Sequence, residues 1–185
     1  MRAARLGRAG RFVTDGWYSM KLDIACGQRK RGSFIGIDIS PLPEVDIVHD
    51  LEVFPWPIDS DSVEEAYCSH YIEHTPSLIN FMNELYRVLK PGAFCTILAP
   101  YYTWIGAWQD PTHTRAISEN TFLYFNAAWR KKHWLEHYPI HCDFECALSF
   151  GYLPEWVNRP EQERNFALRH YFNVVAEIQA KLTKR

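Results

Sequence analysis

Two short stretches place a turn and an acid where a nucleoside could sit. Leu22-Asp-Ile-Ala-Cys-Gly27 is apolar and runs into a turn at Gly27, and Phe34-Ile-Gly-Ile-Asp38 is apolar and ends in a carboxylate. A glycine turn lets backbone approach a bound molecule closely, and an acid closing the next strand can hydrogen-bond ribose hydroxyls. Histidines offer a second chemistry. His70 and His74 lie in Ser69-His-Tyr-Ile-Glu-His74, and His113 ends Gly106-Ala-Trp-Gln-Asp-Pro-Thr-His113. An imidazole titrates near neutral pH and can take the proton of an attacking hydroxyl or amine. His113 is the first choice for such a base, then His74, then His70. A third grouping, His133, His137 and His141 with Cys142 and Cys146, has no standard zinc spacing, and Pro139 interrupts any helix before His141. No metal is expected there.

These residues need elements to hold them. Leu22–Ile24, Phe34–Asp38, Val45–Leu51, Glu65–His70 and Ala93–Ala99 read as apolar strands, the last suited to a sheet covered on both faces. Phe54-Pro-Trp-Pro57 is neither regular helix nor central strand, because its prolines lack an N–H. Leu78, Ile79, Phe81, Met82, Leu85, Tyr86, Val88 and Leu89 recur at helical spacing. Ser77 caps that helix and Pro91-Gly92 ends it. Gly106–His113 reads as a loop, and Ser118 starts a short helix. Cys142–Gly151 reads as a strand and Pro160–His170 as a helix. Asn173–Thr183 reads as a strand, although Ala176–Leu182 could pass for helix.

Size and charge bound the rest. The chain has 185 residues, 47% of them hydrophobic, enough for one ordinary core. A net charge of −2 argues against bulk affinity for a polyanion. Cys26, Cys68, Cys95, Cys142 and Cys146 read as buried thiols in a reducing compartment rather than a disulfide framework. No apolar run spans a membrane, and no apolar segment follows the N-terminal charges, so the cytoplasm is expected. Residues 1–19 carry Arg2, Arg5, Arg8 and Arg11 before any acid, and read as a weakly ordered basic extension. Residues 20–185 are expected to be a single domain.

Taken together, Leu22-Asp-Ile-Ala-Cys-Gly27, Gly36-Ile-Asp38, His49-Asp-Leu51, Ser69-His-Tyr-Ile-Glu-His74 and Leu85-Tyr-Arg-Val-Leu-Lys-Pro-Gly92 resemble the class I S-adenosylmethionine-dependent methyltransferases. The resemblance is to the small bacterial and phage-type members, tight over residues 21–100 and looser beyond. It implies an α/β, Rossmann-like fold: a mostly parallel seven-stranded sheet with an antiparallel last strand. It also implies S-adenosylmethionine as cofactor and S-adenosylhomocysteine as product. By resemblance, Asp23, Ala25, Cys26 and Gly27 form the cofactor turn, and Asp38 with Ile39 takes the ribose. Asp50 and Leu51 frame the adenine; Ser69, His70 and Tyr71 face the methionine part.

The chain departs from the family in its first turn. Ala25 and Gln28 stand where glycine is common, and only Gln28–Ser33 separates Gly27 from the second strand. A parallel crossover normally needs a dozen residues or more, usually a helix. The first crossover should therefore be a bare loop, leaving one sheet face less covered and no helix N-terminus for the cofactor carboxylate. Arg29 or Lys30 could supply that charge instead; the other reading is a solvated basic loop.

In this fold, segments after the fifth strand commonly shape the acceptor site. Residues 101–140 are read as an acceptor-side insertion, with Tyr101, Tyr102, Trp108, Gln109 and Asp110 as binding residues. The competing reading makes its aromatics the core of an added subdomain or a dimer surface. The expected activity is methyl transfer to an oxygen or nitrogen of a small molecule or saccharide. A nucleic-acid or protein methyltransferase, recruited by Arg130-Lys-Lys132 or the N-terminal arm, is one alternative. The chain lacks the Asn/Asp-Pro-Pro-aromatic signature of amino-methylating DNA enzymes. A non-catalytic, cofactor-binding partner subunit is the other.

Overall fold

The computed structural model describes residues 5–6, 12–13 and 20–185. The expected basic extension lies outside the described residues, apart from an antiparallel pair of two-residue strands, β1 (Arg5–Leu6) and β2 (Phe12–Val13). From Met20 the chain builds one sheet from β3 (Met20–Ile24), β4 (Ile35–Asp38), β5 (Ile47–Val48) and β6 (Val63–Ser69). Helix α1 (Leu78–Val88) then leads into β7 (Leu89–Pro100). The strands order as β5-β4-β3-β6-β7-β9-β8, with β8 at Phe144–Tyr152 and β9 at Val175–Lys184. All run parallel except β9, which is antiparallel to both its neighbours. Between β7 and β8 lie α2 (Gly106–Gln109), α3 (Glu119–Leu123) and α4 (Ala127–Lys132). Between β8 and β9 lie α5 (Pro154–Val157) and α6 (Glu161–His170).

The register sorts the side chains into two unlike faces. On one, Leu22, Ala66, Cys95 and Leu182 stand in a row across β3, β6, β7 and β9, and Ile24, Cys68, Ile97 and Ala180 form the next. All eight are buried. α1 packs here, because its period-3.6 residues Phe81, Met82, Leu85 and Val88 make one apolar stripe. Each contributes about 2 kcal/mol by leaving water. Ser77 caps the helix by accepting from the Asn80 N–H, and the helix stops at Val88. Pro91-Gly92 lies inside β7 rather than just beyond the helix, at a register shift opposite Glu64, with Gly92 at φ +78.

The other face carries Lys21, Glu65, Phe94 and Thr183 in one row and Asp23, Tyr67, Thr96 and Lys181 in the next. Lys21 pairs with Glu65, and the Lys181 ammonium sits 4.0 Å from the centre of the Phe94 ring. Beyond them Gln179, Lys181, Glu145, Ala147 and Ser149 are exposed. The expectation that Ala93–Ala99 is covered on both faces is therefore corrected. Phe94 and Thr96 face cross-strand charges, and their alternation with Cys95 and Ile97 records a sheet with one dry face.

This follows from the crossovers. Residues 25–34 form a bare loop, as their length requires. Residues 39–46 and 49–62 also carry no helix. Val45–Leu51, expected as a strand, pairs only at Ile47–Val48, and the chain turns at His49. Gly106–His113, expected as a loop, contains the single turn α2. The ambiguous Ala176–Leu182 is strand, because β7 and β8 pair with its two edges. The cysteines are free, all buried except the half-buried Cys146. No helix among the described residues is long and apolar enough to cross a membrane.

Candidate active site

The carboxyl ends of β3, β4 and β6 build the first half of the site. Ala25 and Gly27 both take positive φ, 55° and 51°, to turn the chain sharply after β3. A side chain on Gly27 would meet nothing within 4 Å, so the turn opens on free space, although its φ still favours glycine. Asp38, half-buried at the end of β4, accepts the Gly27 N–H at 3.0 Å and the Ser40 N–H at 2.9 Å. Each oxygen keeps lone pairs for further donors. Ile39 beside it is exposed. Gly36 is required for a different reason: a Cβ there would lie 2.6 Å from Cys26 Sγ and 2.8 Å from Lys30 Cδ.

Asp23 is buried and accepts the Arg31 N–H at 2.6 Å. Burial pushes its carboxyl above the usual range, against the pull of Arg31 and Lys30. The Arg31 guanidinium lies 4.1 Å over the Tyr67 ring, so the bare loop is tacked to the sheet where a helix would pack. Burial, with Asp23 and Asp38 nearby, pushes the Cys26 thiol up to about 11. The two candidate cations separate. Lys30 is committed to Asp46 at 2.8 Å, which also accepts the Gly36 N–H. The exposed Arg29 side chain has no partner among the described residues.

Asp50 accepts the Glu52 N–H and stays half-exposed. Leu51 is sealed in the core, and its carbonyl accepts the Trp56 indole N–H, so it offers floor rather than wall. Ser69 ends β6 opposite Leu98. The Tyr71 hydroxyl donates to Glu52 at 2.7 Å, and burial first, then Glu52, pushes its ionisation far up. His70, at φ 53°, is held by two carboxylates, Glu73 at 3.3 Å and Glu177 at 2.9 Å. Glu73 first, then Glu177, raises its pKa above the ordinary histidine value against the opposing desolvation.

The second half lies beyond β6 and β7, where the fold joins residues far apart in sequence. The rings of His74 and His113 meet edge-on, centroids 4.7 Å apart. His113 Nδ1 lies 2.8 Å from the Ala107 carbonyl and must carry the hydrogen, leaving a lone pair on Nε2. Thr112 Oγ1 donates to Asp110 at 2.6 Å and so can only accept at 2.9 Å from His74 Nδ1. His74 Nε2 is also left with a lone pair. Asp110 is held below its usual pKa by the Thr112 hydroxyl and N–H.

Tyr101 is buried with its hydroxyl on Glu119, and Tyr102 is part-exposed. Both border an open cavity of about 490 Å³, lined also by Glu119, Phe150, Leu168 and Arg169. Trp108 is exposed and donates its indole N–H to the Tyr102 carbonyl, and Gln109 is exposed. His133, His137 and His141 do not gather: among the described residues, the group of three or more metal-capable side chains is Glu73, His74 and His113. Arg130 is buried and donates to the carbonyls of Tyr124, Ile140 and Cys142. It pins the insertion internally, so a surface patch at Arg130-Lys-Lys132 reduces to its two lysines. Glu73, Glu177 and Glu119 were not singled out from sequence. Glu73 stood inside a motif already noted, but its burial had no local signal.

Comparison with known proteins agrees with this architecture. Residues 16–97 match the model of a methyltransferase domain. An S-adenosylmethionine-dependent methyltransferase from Archaeoglobus fulgidus superposes with a TM-score of 0.64 at 17% identity, covering 90% of this chain and 86% of that one. One from Mesorhizobium loti superposes at 0.55 and 12% identity, covering 89% and 90%. Squalene methyltransferase 2 of Botryococcus braunii is 31% identical over 80 residues, 42% of this chain. The matched stretch is 20% of that relative's length.

Proposed function

We propose that this chain is a class I S-adenosylmethionine-dependent methyltransferase, and that the carboxyl edge of its sheet transfers methyl groups to a small-molecule or saccharide oxygen or nitrogen, a reading supported by the methyltransferase-domain match and the shared fold. The cofactor half lies over β3, β4 and β6, and the acceptor half beyond β7. The observation that carries the reading is the Asp38–Gly27 contact, which places a half-exposed carboxylate against an open turn. These residues fit the cofactor: Asp38 takes the ribose hydroxyls, Asp50 and Ile39 flank the base, and Ser69 lies along the methionine part. Arg29, whose side chain has no partner among the described residues, meets the carboxylate. S-adenosylmethionine, when bound, supplies a sulfonium-activated methyl group, and the protein's work is placement.

On the acceptor side, Tyr101, Tyr102, Glu119 and Arg169 mix apolar wall with polar groups around a volume suited to a small ligand. His74 and His113 form a separate polar pair, with Trp108, Gln109 and Asp110 on the loop that carries His113. The net charge of −2 and the internal use of Arg130 favour this reading over nucleic acid.

Calorimetric titration with S-adenosylmethionine and S-adenosylhomocysteine tests the cofactor half. Saturable binding that falls by about 2 kcal/mol in Asp38→Ala is the expected result. A well-folded protein that binds neither compound would leave the non-catalytic reading. A panel of sugars and small alcohols and amines, read by homocysteine release, then tests the acceptor class.

A further inference from the structure

Glu73 is unusual among the carboxylates of this protein. It is 1% exposed, and neither oxygen receives a hydrogen bond. His70 Nδ1 approaches Oε1 to 3.3 Å without forming one, and is shared with Glu177. The His70 imidazole faces only Oε1, so Oε2 has no partner among the described residues, and a buried carboxylate so placed costs several kcal/mol unless something cationic takes its lone pairs. The neighbouring residues are suited to hold such a cation. His74 and His113 each bring a ligand-capable atom, and with a Glu73 oxygen these atoms lie within 4.8 Å of one another.

Both imidazoles are prepared as ligands. In each, Nδ1 donates its hydrogen to a protein oxygen, Ala107 O for His113 and Thr112 Oγ1 for His74. That arrangement fixes the neutral tautomer with a free Nε2 lone pair, as the outer partners of metal-bound histidines do. Asp110 accepts from the Thr112 hydroxyl, which completes a relay of histidine, threonine and carboxylate behind His74. Asp110 Oδ2 also lies 4.0 Å from His113 Nε2, adding negative charge beside the cluster.

We infer that Glu73, His74 and His113 bind one divalent transition-metal ion on the acceptor side. Two imidazoles and one carboxylate suit a borderline ion such as zinc, cobalt, nickel or iron(II) rather than magnesium or calcium. Bonds of about 2.0–2.2 Å would draw the three groups together by roughly 1 Å. His113 is then a ligand rather than the free base expected from sequence. Three protein ligands leave a coordination position open for an acceptor oxygen or nitrogen. The placement beside the transferred methyl rests on the methyltransferase reading. The ion binding does not.

The test is titration of the full-length protein, stripped with chelator, with cobalt(II) followed by visible absorption and calorimetry. One equivalent should bind, with d–d bands of a low-coordinate site. His74→Ala and His113→Ala should each weaken binding by at least about tenfold, and so should Glu73→Gln. Circular dichroism and S-adenosylhomocysteine binding report whether each variant is folded. His133→Ala/His137→Ala should leave the titration unchanged. Absence of one-equivalent binding by folded protein, or binding that survives both single histidine variants, overturns the inference. Cofactor binding without metal binding would remove the ion and spare the methyltransferase reading. Metal binding without cofactor binding would do the reverse.

Discussion

The proposed cofactor half and the proposed acceptor half of the site are built by opposite means. On the cofactor half, contacts are short in sequence and made largely by backbone: Gly27 N–H to Asp38, Arg31 N–H to Asp23, Ser40 N–H to Asp38. On the other half, the contacts that join distant segments are made by side chains: His74 to His113 and Tyr101 to Glu119. On the methyltransferase reading the cofactor is constant whatever the acceptor, so a local turn suffices. An acceptor site must be assembled from whatever the insertion brings to the sheet edge. The difference also appears in what covers the strands. The β3, β4 and β5 connections are bare loops, whereas the segment after β7 carries helices and its own buried anchor.

The sharpest way to break this contrast is Arg130→Ala. The change strands three carbonyls, those of Ile140 and Cys142 buried and that of Tyr124 part-buried. A loss of about 3 kcal/mol in urea unfolding is expected, with cofactor affinity in the remaining folded protein within about twofold of the parent. An equal loss of cofactor affinity would mean the halves are not separable.

Cys26 probes the closure of the cofactor turn. Alkylation needs the thiolate, and a thiol near 11 is mostly protonated at pH 8. Iodoacetamide should react about a hundredfold more slowly than with an exposed thiol, its rate climbing tenfold per pH unit toward 11. S-adenosylhomocysteine should slow it further. Rapid alkylation at pH 8 that ignores the cofactor would show a turn looser than its contacts.

The smallest effect sharpens the assignment of charge. Arg29→Ala should weaken S-adenosylhomocysteine binding by about 1 kcal/mol while leaving the melting temperature unchanged, because its guanidinium has no partner among the described residues. Lys30→Ala should instead lower stability slightly through loss of the half-exposed Asp46 pair. The reverse pattern would assign the cofactor carboxylate to Lys30.

The sequence by itself determined what depends on near neighbours and on period. Gly27 and Asp38 meet because a turn and a parallel pair of strands join them over a few residues. The shortness of Gln28–Ser33 excludes a crossover helix, since a helix cannot be fitted into six residues and still return the chain. The stripe of Phe81, Met82, Leu85 and Val88 announced α1. Even the open face is written in Ile178-Gln-Ala-Lys-Leu-Thr183, which alternates, although only pairing with β7 and β8 told strand from helix.

Tertiary structure decided the remainder. That Glu73 is buried without a hydrogen bond, that Glu177 reaches His70, and that His74 and His113 share an edge all depend on where β6, β7, β9 and the insertion converge. Arg130 is an internal anchor rather than a surface charge for the same reason. Hydrophobic period and turn chemistry act over a few residues and leave their mark in local sequence. The desolvation and pairing of a polar side chain are set by whichever distant segments pack around it, and no local pattern encodes those.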